Sequence, residues 1–136
     1  MDKDSGAPEV YVVQAWHEAL NEGDVDRLVG LSHPNVEVGG PRGFGRGVRL
    51  LREWVERANI RLEPRHLFWS GDTVVVEQSG QWRSAASGGV IGSQTVTTVF
   101  GVSGGQVASV MRYDDLPEAL NTAGLDHSDE IRPEHR

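Results

Sequence analysis

Five histidines, His17, His33, His66, His127 and His135, are the first residues to test for acid–base or metal chemistry. None stands at metal-ligand spacing from another, and no H-x-x-x-H pair falls on a helix-patterned stretch. No metal site is expected. The chain has no cysteine, which excludes thiolate chemistry and disulfides. Lysine is confined to Lys3 in a polar N-terminus, so a Schiff-base mechanism is not expected. His17 is the histidine on a helix that turns toward a core. It reads either as a hydrogen-bonded core residue or as a weak candidate base.

Two glycine-rich runs carry motif-like spacing. Gly101-Val102-Ser103-Gly104-Gly105 fits the G-x-S-x-G pattern of a nucleophile elbow. That chemistry needs a strand, a sharp turn and then a helix, with acid and histidine partners downstream. A strand-patterned segment follows the turn here, so the run reads as a hairpin. Gly43-Phe44-Gly45-Arg46-Gly47 lies between a strand and a helix, where an anion can meet a helix N-terminus. A dinucleotide fold also needs repeated βαβ units, and the chain shows none after residue 60. A flexible loop over Gly39–Gly47 is predicted instead. Trp16, Trp54, Trp69 and Trp82 can serve as core residues or as the aromatic walls of one cavity.

The elements that must position these residues fall into two blocks. Helical spacing of Val10, Val13, Trp16, His17 and Leu20, opened by Pro8, predicts a first helix that ends at Gly23. Asp24 is placed to cap a short second helix bearing Val25, Leu28 and Leu31. A turn at His33–Asn35 and a strand at Val36–Val38 follow. Val48, Leu51, Trp54, Val55 and Ala58 mark one face of a third helix. Period-two strands are then predicted over 61–70, 73–84, 90–102 and 106–114, joined by Ser70–Asp72, Ala85–Gly89 and Ser103–Gly105. Leu116, Ala119, Leu120 and Ala123 add a last helix closed by Gly124. Helices first and an antiparallel meander second make an α+β layout. At 136 residues this is one domain, over 8–124, with frayed tails at 1–7 and 125–136.

The net charge of −7 argues against a nucleic-acid partner, although seven arginines gather between Arg42 and Arg65. Glutamates interleave with them, which gives a mixed solvated surface. No run of apolar residues is long enough to span a membrane and no signal peptide is evident, so a cytoplasmic location is expected.

The run Ala19-Leu20-Asn21-Glu22-Gly23-Asp24-Val25-Asp26-Arg27-Leu28, then Val36-Glu37-Val38 and the Gly47–Ala58 helix, resembles the nuclear transport factor 2-like superfamily. The ending Gly105 to Val107, with Val110, Arg112, Tyr113 and Asp114, is similar to its last strand. The likeness is closest to SnoaL-like and ketosteroid-isomerase-like members. It implies a cone, a bent antiparallel sheet wrapped around N-terminal helices with a pocket at its open end. It also implies a homodimer through the outer sheet face. Steroid isomerases of this superfamily need a tyrosine and two acids, and the matching positions here hold Trp16, Val38 and Thr98. Limonene-type epoxide hydrolases need an Arg-x-Asp pair where this chain reads Glu77-Gln78-Ser79-Gly80.

The resemblance sets a register that alternation extends. Val74, Val76, Gln78, Gln94, Val96, Thr98, Val110, Arg112 and Asp114 then share the concave face, with Trp16, Val38 and Trp54 completing the pocket. Val75, Glu77, Thr95, Thr97, Val99, Met111 and Tyr113 share the outer face. Arg112 is a candidate anchor for a carboxylate, phenolate or enolate, and Asp114 a candidate base. The expected ligand is a compact, partly apolar organic molecule, handled without a cofactor by isomerisation, cyclisation or (de)hydration. The alternative is a non-catalytic binding or dimerisation module.

Overall fold

The computed structural model describes residues 7–40, 43–83, 86–87 and 89–131. Most of the tail predicted at 1–7, the last five residues of the tail predicted at 125–136, and parts of the loop tips at 41–42 and 84–88 lie outside these residues, as do the side chains of residues 58 and 83. Helix α1 spans Pro8–Glu22 and ends at Gly23, whose φ of 74° is the left-handed cap that glycine adopts without strain. Asp24 accepts from the Arg27 N–H and starts α2, Val25–Gly30. Helix α3 covers Val48–Ala58, and α4, Leu116–Ala123, is capped by Asp115 accepting from the Glu118 N–H. Both Asp caps satisfy N–H groups that the first helical turn leaves without partners.

Seven strands form one bent, unclosed sheet: β1 Ser32–Gly40, β2 Gly43–Arg46, β3 Ile60–Ser70, β4 Thr73–Arg83, β5 Val90–Ser103, β6 Gln106–Tyr113 and β7 Glu130–Ile131. Their spatial order is β2-β1-β6-β5-β4-β3-β7. The expected meander β3–β6 is antiparallel throughout. The run Gly101–Gly105 is the β5–β6 hairpin, with Gly104 and Gly105 at φ 59° and 80°. Pro64 sits in β3 beside a register shift, where its missing N–H removes no regular ladder bond.

Four expectations need correction. The His33–Asn35 turn is absorbed into β1, where an irregularity between Ser32 and Glu37 accommodates Pro34 and the Asn35 N–H donates to His33 Nδ1. The glycine-rich loop is instead largely a second strand, β2, paired with β1 from Gly40↔Gly43 to Glu37↔Arg46. A Cβ on Gly39 would collide with the Phe44 side chain and come within 2.6 Å of Gly43 O, so the glycine permits this close pairing. The sheet is not wholly antiparallel: β1 runs parallel to β6, with Val38 opposite Val110. Finally, the tail expected from 125 carries a buried Leu125, a 3-10 turn at His127–Asp129 and β7, which pairs with Leu67 and Phe68. His66 Nδ1 lies 2.8 Å from Glu130 Oε2 and helps hold that strand.

The larger core lies between α1–α3 and the concave face, around Val13, Trp16, Leu28, Leu51, Val74, Val76 and Phe100. A second cluster lies on the outer face, where Phe68, Val75 and Val99 meet Ala119, Leu120 and Leu125. Helix α4 therefore covers part of the face expected to be free for a dimer. Each cluster removes apolar surface from water, the main favourable term in folding.

Candidate functional site

Alternation along three strands places the site. Thr98 on β5 lies between Val76 on β4 and Arg112 on β6, and Val96 lies opposite Gln78. Across the cone, Leu50, Trp54 and Arg57 recur at helical spacing on one face of α3. Ile60 and Leu62 enter from β3, and Val38, Gly39, Gly40 and Gly43 from the β1–β2 hairpin. Together these residues line a cavity of about 630 Å³. Its walls are mainly aliphatic and aromatic, and its charged groups are Arg57, Arg112 and Asp114.

Arg57, Arg112 and Asp114 are exposed, and none of them forms an ion pair among the described residues. The Arg112–Asp114 pairing that would have neutralised the site is therefore not made. Two guanidinium groups at the mouth of an apolar cavity can receive an anionic oxygen, with bidentate geometry available to each. The neighbouring carboxylate can accept a proton.

Behind the wall lies a buried polar chain. The Thr98 hydroxyl donates to Gln78 Oε1 at 2.9 Å, Gln78 Nε2 lies 2.8 Å from His17 Nε2, and His17 Nδ1 lies 2.8 Å from Val13 O. Trp16 and Phe100 stand around the imidazole at ring distances of 5.8 and 5.2 Å. Desolvation pushes the His17 pKa down from 6.5 to about 4, against a smaller raising effect of the Val13 hydrogen bond. His17 is thus neutral, and it is not among the residues that line the cavity.

Of the residues expected in the pocket, Val38, Trp54, Val96, Thr98, Val110, Arg112 and Asp114 line the cavity. Trp16 does not: it is fully buried beneath the floor, donating through Nε1 to Ser32 Oγ at 3.2 Å. Val76 and Gln78 are fully buried in the same layer. Gln94 is exposed opposite Gly80, farther along β5 than the cavity reaches. Leu50, Arg57, Ile60 and Leu62 were not anticipated; the Leu50–Trp54–Arg57 spacing on α3 carried the signal for the first and second. The four tryptophans do not wall one cavity. Trp54 lines it, whereas Trp69 and Trp82 are partly buried against the core. Among the described residues, no group of three or more His, Asp or Glu side chains is placed to hold a metal ion, and no helix is long and apolar enough to cross a membrane.

No curated protein matches the chain. Solved structures do share its fold. TerC, co-crystallised with polyporic acid, is 20% identical over 85% of this chain and 97% of its own, with a TM-score of 0.68. A candidate polyketide cyclase from Sinorhizobium meliloti is 25% identical over 74% of this chain and 92% of its own, with a TM-score of 0.62. An LEH-like epoxide hydrolase from M. tuberculosis is 18% identical over 84% and 87%, with a TM-score of 0.66. The sequence pattern of the SnoaL-like domain matches residues 13–110, from the middle of α1 to the β6 valine that lines the cavity. With a helix-filled, bent sheet and that match across most of its length, the chain belongs to the SnoaL-like domain family of the nuclear transport factor 2-like superfamily.

Proposed function

We propose that the cone cavity binds a compact, partly apolar organic acid or enolisable molecule, and that the protein acts on it without a cofactor by isomerisation, cyclisation or (de)hydration. The observation that carries this reading is the set of charges without ion pairs among the described residues, Arg57, Arg112 and Asp114, at the mouth of a largely apolar cavity. Arg112 would hold the anionic oxygen and stabilise charge that develops during reaction, and Asp114 would move the proton. The co-crystallised polyporic acid of TerC and the names of the cyclase and epoxide hydrolase relatives favour chemistry of this class. A steroid-isomerase mechanism is not favoured, because the position of its base holds Val38, a hydrocarbon.

A thermal-shift or native mass spectrometry screen with polyketide-, steroid- and terpene-like acids tests the reading. A hit is expected to lose about tenfold or more in affinity in Arg112→Ala, the scale of one charge-assisted hydrogen bond. Asp114→Asn is expected to retain binding and lose turnover. A screen without hits counts against the pocket reading, and turnover unaffected by Asp114→Asn retires the aspartate as base.

A second reading, a binding or dimerisation module, is favoured by Val90 and Ile91, which are 53% and 71% exposed at the start of β5. A dimer would use the part of the outer face that α4 leaves open, around Thr95 and Met111. Light scattering of the wild type and Ile91→Asp tests this surface: a dimer that the aspartate dissociates supports its use as an interface, and the module reading is favoured where such a dimer goes with no hit in the ligand screen. A cytoplasmic location goes with either reading and is open to cell fractionation.

A further inference from the structure

Thr98 lines the cavity but is only 4% exposed. The bonds behind it run in one direction. Val13 O can only accept, so His17 Nδ1 must carry a proton and donate to it at 2.8 Å. A neutral ring then leaves a bare lone pair on Nε2, which accepts from the Gln78 amide at 2.8 Å. That contact turns the amide oxygen toward Thr98, whose hydroxyl donates to it at 2.9 Å. The hydroxyl hydrogen of Thr98 is therefore committed to Gln78. Only lone pairs remain on that oxygen.

We propose that Thr98, wired through Gln78 and His17 to Val13 O, is an obligate hydrogen-bond acceptor in the cavity wall and selects ligands that bring a hydroxyl, enol or N–H to that depth. The inference rests on the acid-binding reading and narrows it, from partly apolar acids to acids with a hydrogen-bond donor at the buried end. An isolated threonine rotates its hydroxyl and serves donors and acceptors alike. Here a ketone or ether oxygen would set lone pairs against lone pairs where water cannot compensate. A site built to pair with a hydroxyl rejects the analogue that lacks it.

Isothermal titration with hydroxynaphthoic acids, their hydroxyl on the ring without the carboxylate, tests the proposal against the matching methyl ethers and the parent naphthoic acids. At least one hydroxy acid is expected to bind about tenfold tighter than its ether and its parent. Thr98→Val should erase that preference and Thr98→Ser should keep it. Equal binding of hydroxy acids and ethers overturns the proposal and leaves the acid-binding reading standing. Binding of none of these acids overturns both. If Thr98→Val does not fold, NMR of the imidazole nitrogens in the free wild type decides the wiring: a protonated Nδ1 and bare Nε2 on His17 support it, and a protonated Nε2 overturns it.

Discussion

His17 is buried and does not line the cavity. Its burial between Trp16, Phe100 and the uncharged amide of Gln78 depresses its pKa from 6.5 to about 4. Between those values the unfolded chain binds the proton that the folded chain refuses. Stability is therefore highest above 6.5 and falls as pH drops toward 4, by at most about 3 kcal/mol. Urea titrations across that window should show this loss in the wild type and a flatter profile in His17→Gln, which has no group to protonate. An identical slope in both proteins would assign the acid sensitivity elsewhere. Alternation, from a register set by the family resemblance, puts Thr98, Val96 and Arg112 on one face, and all three line the cavity. It could not predict depth, which separates the lining residue Thr98 from Gln78 one layer behind and from Gln94 beyond the rim. Arg57 reads in the sequence as part of a mixed solvated surface, because a charged residue on a helix carries no sign of the cavity it borders.

At the scale of elements, the helices and the four-strand meander were legible because each has its own hydrophobic period and its own stop signals, such as Gly23, Asp24 and Gly124. The β1–β2 hairpin was not, because glycine backbones make it and leave no side-chain alternation to read. Gly39 tests this directly. Its Cβ would meet the backbone of Gly43 and Phe44, so Gly39→Ala must push β2 away. A loss of about 1–3 kcal/mol is expected, the usual cost of overpacking. Because Gly39, Gly40 and Gly43 also line the cavity, the same variant should bind any identified ligand more weakly. Calorimetry and titration on one sample would show both effects. A Gly39→Ala protein with wild-type melting and binding would mean that the hairpin is looser than its register implies.

For the whole molecule, the C-terminal stretch covers part of the outer face. Leu125 is buried against Phe68 and α4, while β7 extends the sheet beyond β3. A two-residue strand has no periodicity, which is why residues 126–131, polar except for Ile131, read as a tail. Leu125→Ala should cost about 2–4 kcal/mol by urea denaturation; a change of only a few tenths would show that this layer adds little. The parallel pairing of β1 with β6 leads us to expect an order in time as well as in space. Val38 meets Val110 across a long stretch of chain, and contacts of that kind form late because the intervening loop must first be closed. Both valines line the cavity. A nascent chain emerging from the ribosome can fold its helices and begin its meander early, yet it has no vessel for a ligand until β6 is made. If the cavity binds a ligand as proposed, binding competence waits for β6, and a ligand present during synthesis would stabilise only chains that have made that strand.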